Sequence, residues 1–262
     1  MKLGCTTKEI GRIQRLAEMG YDYVELGFRA LAPLEDDLTF APIRERILDA
    51  PIRPEALSGF IPPYVGLKVV GPEVDRAKLR RYLETMLGRA AQVGARVAVF
   101  GSGPSRTVPD GFPRARALDQ LRDFLALGAD LAAARGITLV LEILNQGETN
   151  LVNTMDEALE LVRSVGRPRL RTMVDYYHVL TDGQSLAQVQ QAGALLAHAH
   201  TSDAGRQPPG TAGSDQVAFL SALRAAGYDG RLSVECRFED FDREAPAALA
   251  YLKDVWRRLA GG

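Results

Sequence analysis

The 262-residue chain has three histidines, and two of them, His198 and His200, share one short stretch, LLAHAHTSDAGR (195–206). Standing two apart, they lie on one face of any strand formed there, with His200 nearer its end. Other apolar runs also carry an ionisable group near the carboxyl end. Glu142 lies in LVLEIL, Asp175 and His178 in TMVDYYH, Glu235 in LSVEC and Glu25 in YVELG. An isolated charge in such a run is costly unless it is paired or holds a cation. Two Glu, one Asp and one His make a hard, mixed oxygen and nitrogen ligand set. It suits Mn²⁺, Mg²⁺, Co²⁺ or Zn²⁺, and the lack of clustered Cys argues against a thiolate site.

Each residue also has a plainer reading. Any one carboxylate could be an ion pair with an Arg. His198 reads as a core histidine donating to a carbonyl. Tyr176, Tyr177 and Trp256 read as packing. Cys236 should point away from Glu235, towards the helices, as an inert thiol, while alternation leaves the role of Cys5 open. Four ionisable groups on four successive strands are harder to explain one at a time.

The elements that must position these groups alternate along the chain. Strands are predicted at 2–6, 23–27, 56–61, 96–101, 137–144, 170–177, 195–200 and 231–236. Amphipathic stretches lie between them. In DRAKLRRYLETMLGRAAQVG, Leu79, Leu83, Met86, Leu87 and Ala90 fall on one face and Gly94 closes the helix. ALDQLRDFLALGADLAAARG repeats the arrangement, with Leu121, Phe124, Leu125 and Leu131 inward and Gly136 as stop. NTMDEALELVRSVG opens with a cap at Asn153 or Thr154. FAPIRERILDA is the helix predicted between the second and third strands. Near-continuous apolar strands suit a parallel sheet covered on both faces. Eight βα units in this length predict an α/β fold of the (β/α)8 TIM-barrel class, one catalytic domain over residues 1–262. A doubly wound open sheet is the alternative, weakened because CTTKEIGR is not a dinucleotide-binding turn.

Composition removes several function classes. Thirty-two basic and 33 acidic residues leave a net charge of -1, so no nucleic-acid partner is expected. Two cysteines cannot build a disulfide framework. The start MKLGCTTKEIGR turns polar too soon for a secretory signal, and no apolar run is long enough to cross a membrane. A cytoplasmic protein is expected, with the oligomeric state open, a homo-oligomer included.

Four spacings occur together: EILNQGE at 142–148, Asp-x-x-His at 175–178, His-x-His at 198–200 with Arg206 six residues on, and Glu235. On them the chain resembles the xylose isomerase-like TIM barrels, often labelled sugar phosphate isomerases/epimerases. Hydroxypyruvate isomerase and the D-tagatose 3-epimerase and D-psicose epimerase enzymes belong to that group. The resemblance covers essentially the full chain. It implies one divalent metal ion on Glu142, Asp175, His200 and Glu235. It further implies that His178, Arg206 and Glu148 contact a small carbohydrate substrate, with His198 and Glu25 supporting the ligands from behind. The ketose epimerases read Glu-x-x-Asn-Arg-x-Glu in their fifth strand, and this chain has Gln146 in place of the Arg.

The chemistry implied is transfer of a proton α to a carbonyl. Glu142 and Glu235 would flank the substrate as the acid–base pair, with Arg206 and His178 on the oxygen that gains charge. A metal-dependent dehydratase of a keto-polyol or keto-acid would need the same parts. A remote alternative is an apurinic endonuclease, but the third and fourth strands and their loops, ALSGFIPPY and VFGSGPSR, lack the histidines its three zinc ions need. A non-catalytic sugar-binding protein would have little use for a complete ligand set. The acidic run CRFEDFDRE after the last strand would repel a phosphate dianion, whereas SGPSR could cradle an anion; an unphosphorylated substrate is therefore expected.

Overall fold

Strand after strand, one inward position carries an apolar side chain and the position two residues later an ionisable one. The pairs are Tyr23 and Glu25, Val140 and Glu142, and Met173 and Asp175. Tyr23, Ala56, Val97, Val99, Val140 and Met173 form a single buried cluster. Because side chains on one face recur every second residue, the groups above this plug all point the same way.

The computed structural model describes residues 1–260. Its strands are β1 (Lys2–Thr7), β2 (Tyr23–Gly27), β3 (Ala56–Ser58), β4 (Val97–Phe100), β5 (Thr138–Glu142), β6 (Leu170–Asp175), β7 (Leu196–Thr201) and β8 (Arg231–Val234). They close in sequence order into one barrel, with β1 paired to β8 and every pairing parallel. Asp175 is in register with His200, and His200 with Ser233. Asp175 and His200 are thus neighbours in the wall, and Ser233 stands beside His200 with Glu235 two residues further along. Gly4 is required in β1, because a Cβ there would run into the Tyr23 ring that fills the barrel.

Outward-facing residues such as Leu26, Leu57, Leu139, Leu141 and Leu232 join the helices in a second, larger core. The helix Arg76–Gln92 buries Leu79, Leu83, Met86, Leu87 and Ala90 as expected, and Asp75 caps it by accepting from Lys78 N–H at 3.0 Å. The helix Arg114–Ala133 buries Leu121, Phe124 and Leu125, while Leu131 is half-buried. The cap before Met155–Val165 is Thr154, in a reciprocal box with Glu157. Asn153 instead donates to the carbonyls of Leu144 and Thr149, holding the loop after β5.

Several strands stop short of their predicted ends, each for a local reason. Gly59 turns the chain at φ +64° after β3. Asp175 ends β6 because its Oδ1 accepts from Tyr177 N–H at 2.9 Å, capping a helix over Tyr176–Thr181. The two tyrosines are thus helical. Glu235 lies one residue past β8, still tied to the wall by its N–H to Thr201 O at 2.9 Å. Cys5 is buried, and burial pushes its thiol pKa up to about 12. Burial also raises the pKa of Cys236, which packs against the outer core.

Candidate metal centre

The centre is built around His200. Its Nε2–H donates to Glu25 Oε1 at 2.9 Å, which leaves Nδ1 facing the barrel mouth. That nitrogen is 3.1 Å from Glu235 Oε2, 3.5 Å from Glu142 Oε1 and 3.9 Å from Asp175 Oδ2. It is buried, yet it has no hydrogen-bond partner. Donors bound at about 2.1 Å to one ion stand roughly 3–4 Å from each other, so these separations are those of a coordination shell. One donor atom from each of Glu142, Asp175, His200 and Glu235 lies within 4.8 Å of the others. The four residues come from β5, β6, β7 and the end of β8, four neighbouring positions around one rim.

Glu25 is fully buried on β2 and binds both histidines. His198 Nε2–H donates to its Oε2 at 2.7 Å, and Ser233 Oγ–H donates to the same oxygen at 2.5 Å. Tyr23 O–H completes the chain by donating to Ser233 at 2.7 Å. The partner of His198 is thus a carboxylate and not the carbonyl expected from sequence. Burial opposes the charge on Glu25, but His200 and His198 outweigh it and hold its pKa well below the usual range. Burial likewise opposes a proton on His200; Glu25 and Glu235 more than offset it and raise the His200 pKa well above the ordinary value. A metal-binding His whose other nitrogen donates to a carboxylate has a fixed ring and a more basic lone pair. Glu25→Gln is therefore expected to weaken divalent-metal affinity by about 10–100-fold. Competition with a chelator of known affinity measures it, and wild-type affinity in the variant would remove Glu25 from the centre.

Arg206 bridges two of the carboxylates. Its Nη1 is 2.7 Å from both Glu235 Oε2 and Asp175 Oδ2, but only the contact to Glu235 has hydrogen-bond geometry. Both Gly205 (φ +68°) and Arg206 (φ +62°) are left-handed, which turns this side chain back over the mouth. The guanidinium lies 4.2 Å from the centroid of the Tyr177 ring, so Tyr177 has a role at the site beyond packing. Burial would raise the pKa of Glu235, but His200 and Arg206 prevail and lower it. For Asp175 burial prevails, and its pKa is raised despite Arg206 and His178.

His178 is buried beside them. Its Nδ1 accepts from Asn145 N–H at 3.2 Å and from Asn145 Nδ2–H at 2.8 Å, which leaves the proton on Nε2. Nε2 is 3.6 Å from Asp175 Oδ2, too far for a hydrogen bond, and is placed to donate to a bound oxygen. Glu148 sits at the exposed rim, its Oε1 3.9 Å from His178 Nδ1 and 3.2 Å from Asn145 Nδ2. Gln146 is exposed, and its N–H donates to Asp182 at 3.0 Å. All nine residues singled out from sequence converge on the mouth or directly beneath it.

Sequence reasoning missed Ser233, Tyr23, Arg106 and Gly101. Ser233 and Tyr23 share the inward face of their strands with residues already in view, so period-two alternation carried that signal. Arg106, fully buried, donates to the carbonyl of Glu142 at 2.7 Å from SGPSR, which folds as a short helix. A Cβ on Gly101 would overlap the Glu142 carboxylate, so any larger residue there would displace that carboxylate. Neither is visible without the fold.

A family model described as "Xylose isomerase-like TIM barrel" matches residues 13–255. The D-psicose 3-epimerase of Ruminiclostridium cellulolyticum is 24% identical over 258 residues, 95% of this chain and 84% of that protein. The D-psicose 3-epimerase of Agrobacterium fabrum is 33% identical over 135 residues, only 51% of this chain and 45% of that one. Among solved structures, a D-psicose 3-epimerase in the presence of D-fructose superposes with a TM-score of 0.83 at 22% identity, covering 98% of this chain and 99% of the other.

Proposed function

The chain belongs to the xylose isomerase-like TIM barrel family, and from that premise we propose that it is a divalent-metal-dependent sugar isomerase or epimerase. One observation carries the reading. A buried, partnerless His200 Nδ1 faces the oxygens of Glu142, Asp175 and Glu235 at coordination distances. Three carboxylates and one imidazole are a hard set, and we assign manganese to it. A divalent ion held there would bind a ketose carbonyl and the neighbouring hydroxyl and disperse the charge that develops on them.

The protein's own groups do the rest. Glu142 and Glu235 approach His200 from β5 and β8, opposite ends of the four-strand arc. A sugar lying between them presents one face to each carboxylate. One Glu takes the proton α to the carbonyl, and the other returns a proton from the opposite face, which inverts the carbon. Return to the adjacent carbon gives aldose–ketose isomerisation instead. Arg206, seated on Tyr177, and the Nε2–H of His178 are placed to donate to the oxygen that becomes negative. Glu148 at the rim accepts from a more distant hydroxyl. The relatives named as D-psicose 3-epimerases support a ketose at the reacting end of the substrate.

Exchange with solvent tests the scheme. Manganese-loaded protein is incubated in D₂O with a panel of ketoses and aldoses and followed by NMR. Deuterium should appear at the carbon that lost its proton, or at its neighbour, with no loss of water. Transfer without any exchange would defeat the two-carboxylate scheme, and a dehydrated product would assign the protein as a dehydratase.

A further inference from the structure

The cleft beside the metal centre is cationic, and it is built from the other half of the barrel mouth. It encloses about 570 Å³ between the loops after β1, β2, β3 and β8, and Glu235 lines it. That size is in the range of small-molecule sites. Glu235 therefore joins two regions, the carboxylate arc on β5–β8 and this cleft. Lys8, Arg12, Arg29 and Arg237 line the cleft, opposed only by Glu9 and by Glu235 itself.

Their pairing is lopsided. Glu9 is engaged by Arg12 at 3.1 Å. Among the described residues, Lys8, Arg29 and Arg237 form no ion pair. Lys8 and Arg29 are also brought together: a Cβ on Gly27 would meet Arg29 Cγ at 3.4 Å and Lys8 Cγ at 3.8 Å, so both stems cross the same glycine. Both side chains are exposed at the cleft and neither has a carboxylate partner among the described residues. Of the four acids in the run after β8, three are engaged away from the cleft, and Glu239 is exposed beside the cleft-lining Phe238. Asp242 pairs with Arg15 at 2.8 Å, Glu244 accepts from Glu239 N–H at 2.9 Å and Asp240 from Arg243 N–H at 3.2 Å. The expectation that this run would repel an anion is thus reduced to the single carboxylate of Glu239. A chain of net charge -1 concentrates cations here and not over its whole surface.

We propose that the substrate carries an anionic group, a carboxylate or a phosphate ester, at the end remote from the reacting carbonyl, bound by Lys8 and Arg29 with Arg237 at the cleft wall. The inference rests on the isomerase reading for the reacting end and adds the class of the other end. Such a substrate spans the mouth, its keto-hydroxy end over the arc and its charged end over Gly27.

The test uses manganese-loaded wild-type and K8Q/R29Q protein with three ketoses of equal chain length: neutral, terminally carboxylated and terminally phosphorylated. One charged sugar should exceed the neutral one in kcat/KM by at least about ten-fold, the scale of a charge-assisted contact, and the better of the two identifies the anion. That ratio should fall by at least about ten-fold in K8Q/R29Q and fall with added salt. A wild-type preference for the neutral sugar, or a ratio unchanged in K8Q/R29Q, overturns the proposal. Calorimetry with gluconate and with sorbitol 6-phosphate separates it from the isomerase reading. Anion binding that K8Q/R29Q abolishes, with neither these sugars nor the panel of ketoses and aldoses turned over, supports the anion site and defeats the isomerase assignment. No binding of either anion to the wild type overturns the anion site whatever the turnover.

Discussion

Glu142→Gln and Glu235→Gln should each lower turnover at saturating manganese by about 10²–10⁴-fold, the range typical for loss of a general acid or base. Binding of a non-reacting polyol should change by less than about ten-fold. The substitution keeps the size of the side chain and one oxygen that can stay on the ion, but the amide cannot take up a proton near neutral pH. Both residues are held from the backbone, so the change is local. Arg106 grips the carbonyl of Glu142, and the N–H of Glu235 is tied to Thr201 O. Single-turnover kinetics with deuterated sugar, together with metal content after gel filtration, separates lost proton transfer from lost metal. If one variant keeps near-normal turnover, a single carboxylate does both transfers. If both do, neither is the base. A loss seen only in KM would make them binding groups.

How far the sequence carried this picture depends on the physical range of each signal. Alternation is local, so the inward column of each strand could be read directly: an apolar plug at Val140 and Met173, and the ionisable groups Glu142 and Asp175 two residues above. The barrel class followed from eight such units. Strand ends were harder, because they are set by contacts that cross the chain. Asp175 illustrates this. A strand reading ran on to Tyr177, but the Asp175 carboxylate captures the Tyr177 N–H and starts a helix instead. The same turn brings Tyr177 beneath Arg206, a contact between residues 29 apart in sequence. Glu25 was visible as one more charge in an apolar strand, but its bond to two histidines of β7 depends on barrel closure. The acidic run after β8 shows the opposite failure. Its composition suggested a field over the mouth, whereas the carboxylates of Asp240, Asp242 and Glu244 are used locally on the last helix and its neighbour. Charge counts in a segment do not say which way the side chains face.

One Mn²⁺ per chain is expected to bind, with release of about one proton and an affinity that rises with pH. The sign follows from His200. Glu25 and Glu235 overcome the cost of burial and raise its pKa in the metal-free protein, so a proton competes with the ion for Nδ1 as the pH falls. A ligand must be neutral imidazole, and the proton has to leave when the ion enters. Affinity should therefore climb by up to about one decade per pH unit below the raised pKa and level off above it. Asp175 acts in the same direction, because burial raises its pKa and protons compete for it at lower pH. His200→Ala and Asp175→Asn should each weaken binding by at least about 100-fold, since each removes a ligand. Asn preserves an oxygen that can still accept from Tyr177 N–H, so that variant tests the charge and not the helix cap. Titration calorimetry in two buffers of different ionisation heat counts the proton. Thermal unfolding gives an independent check: an ion at 100 times its Kd stabilises the wild type by about 2.7 kcal/mol, and either variant at the same concentration by no more than about 0.4 kcal/mol. Stoichiometric binding unchanged in both variants would place the ion elsewhere. Affinity independent of pH would show that His200 is already neutral in the metal-free protein, and that the three carboxylates around it are balanced by Arg206 alone.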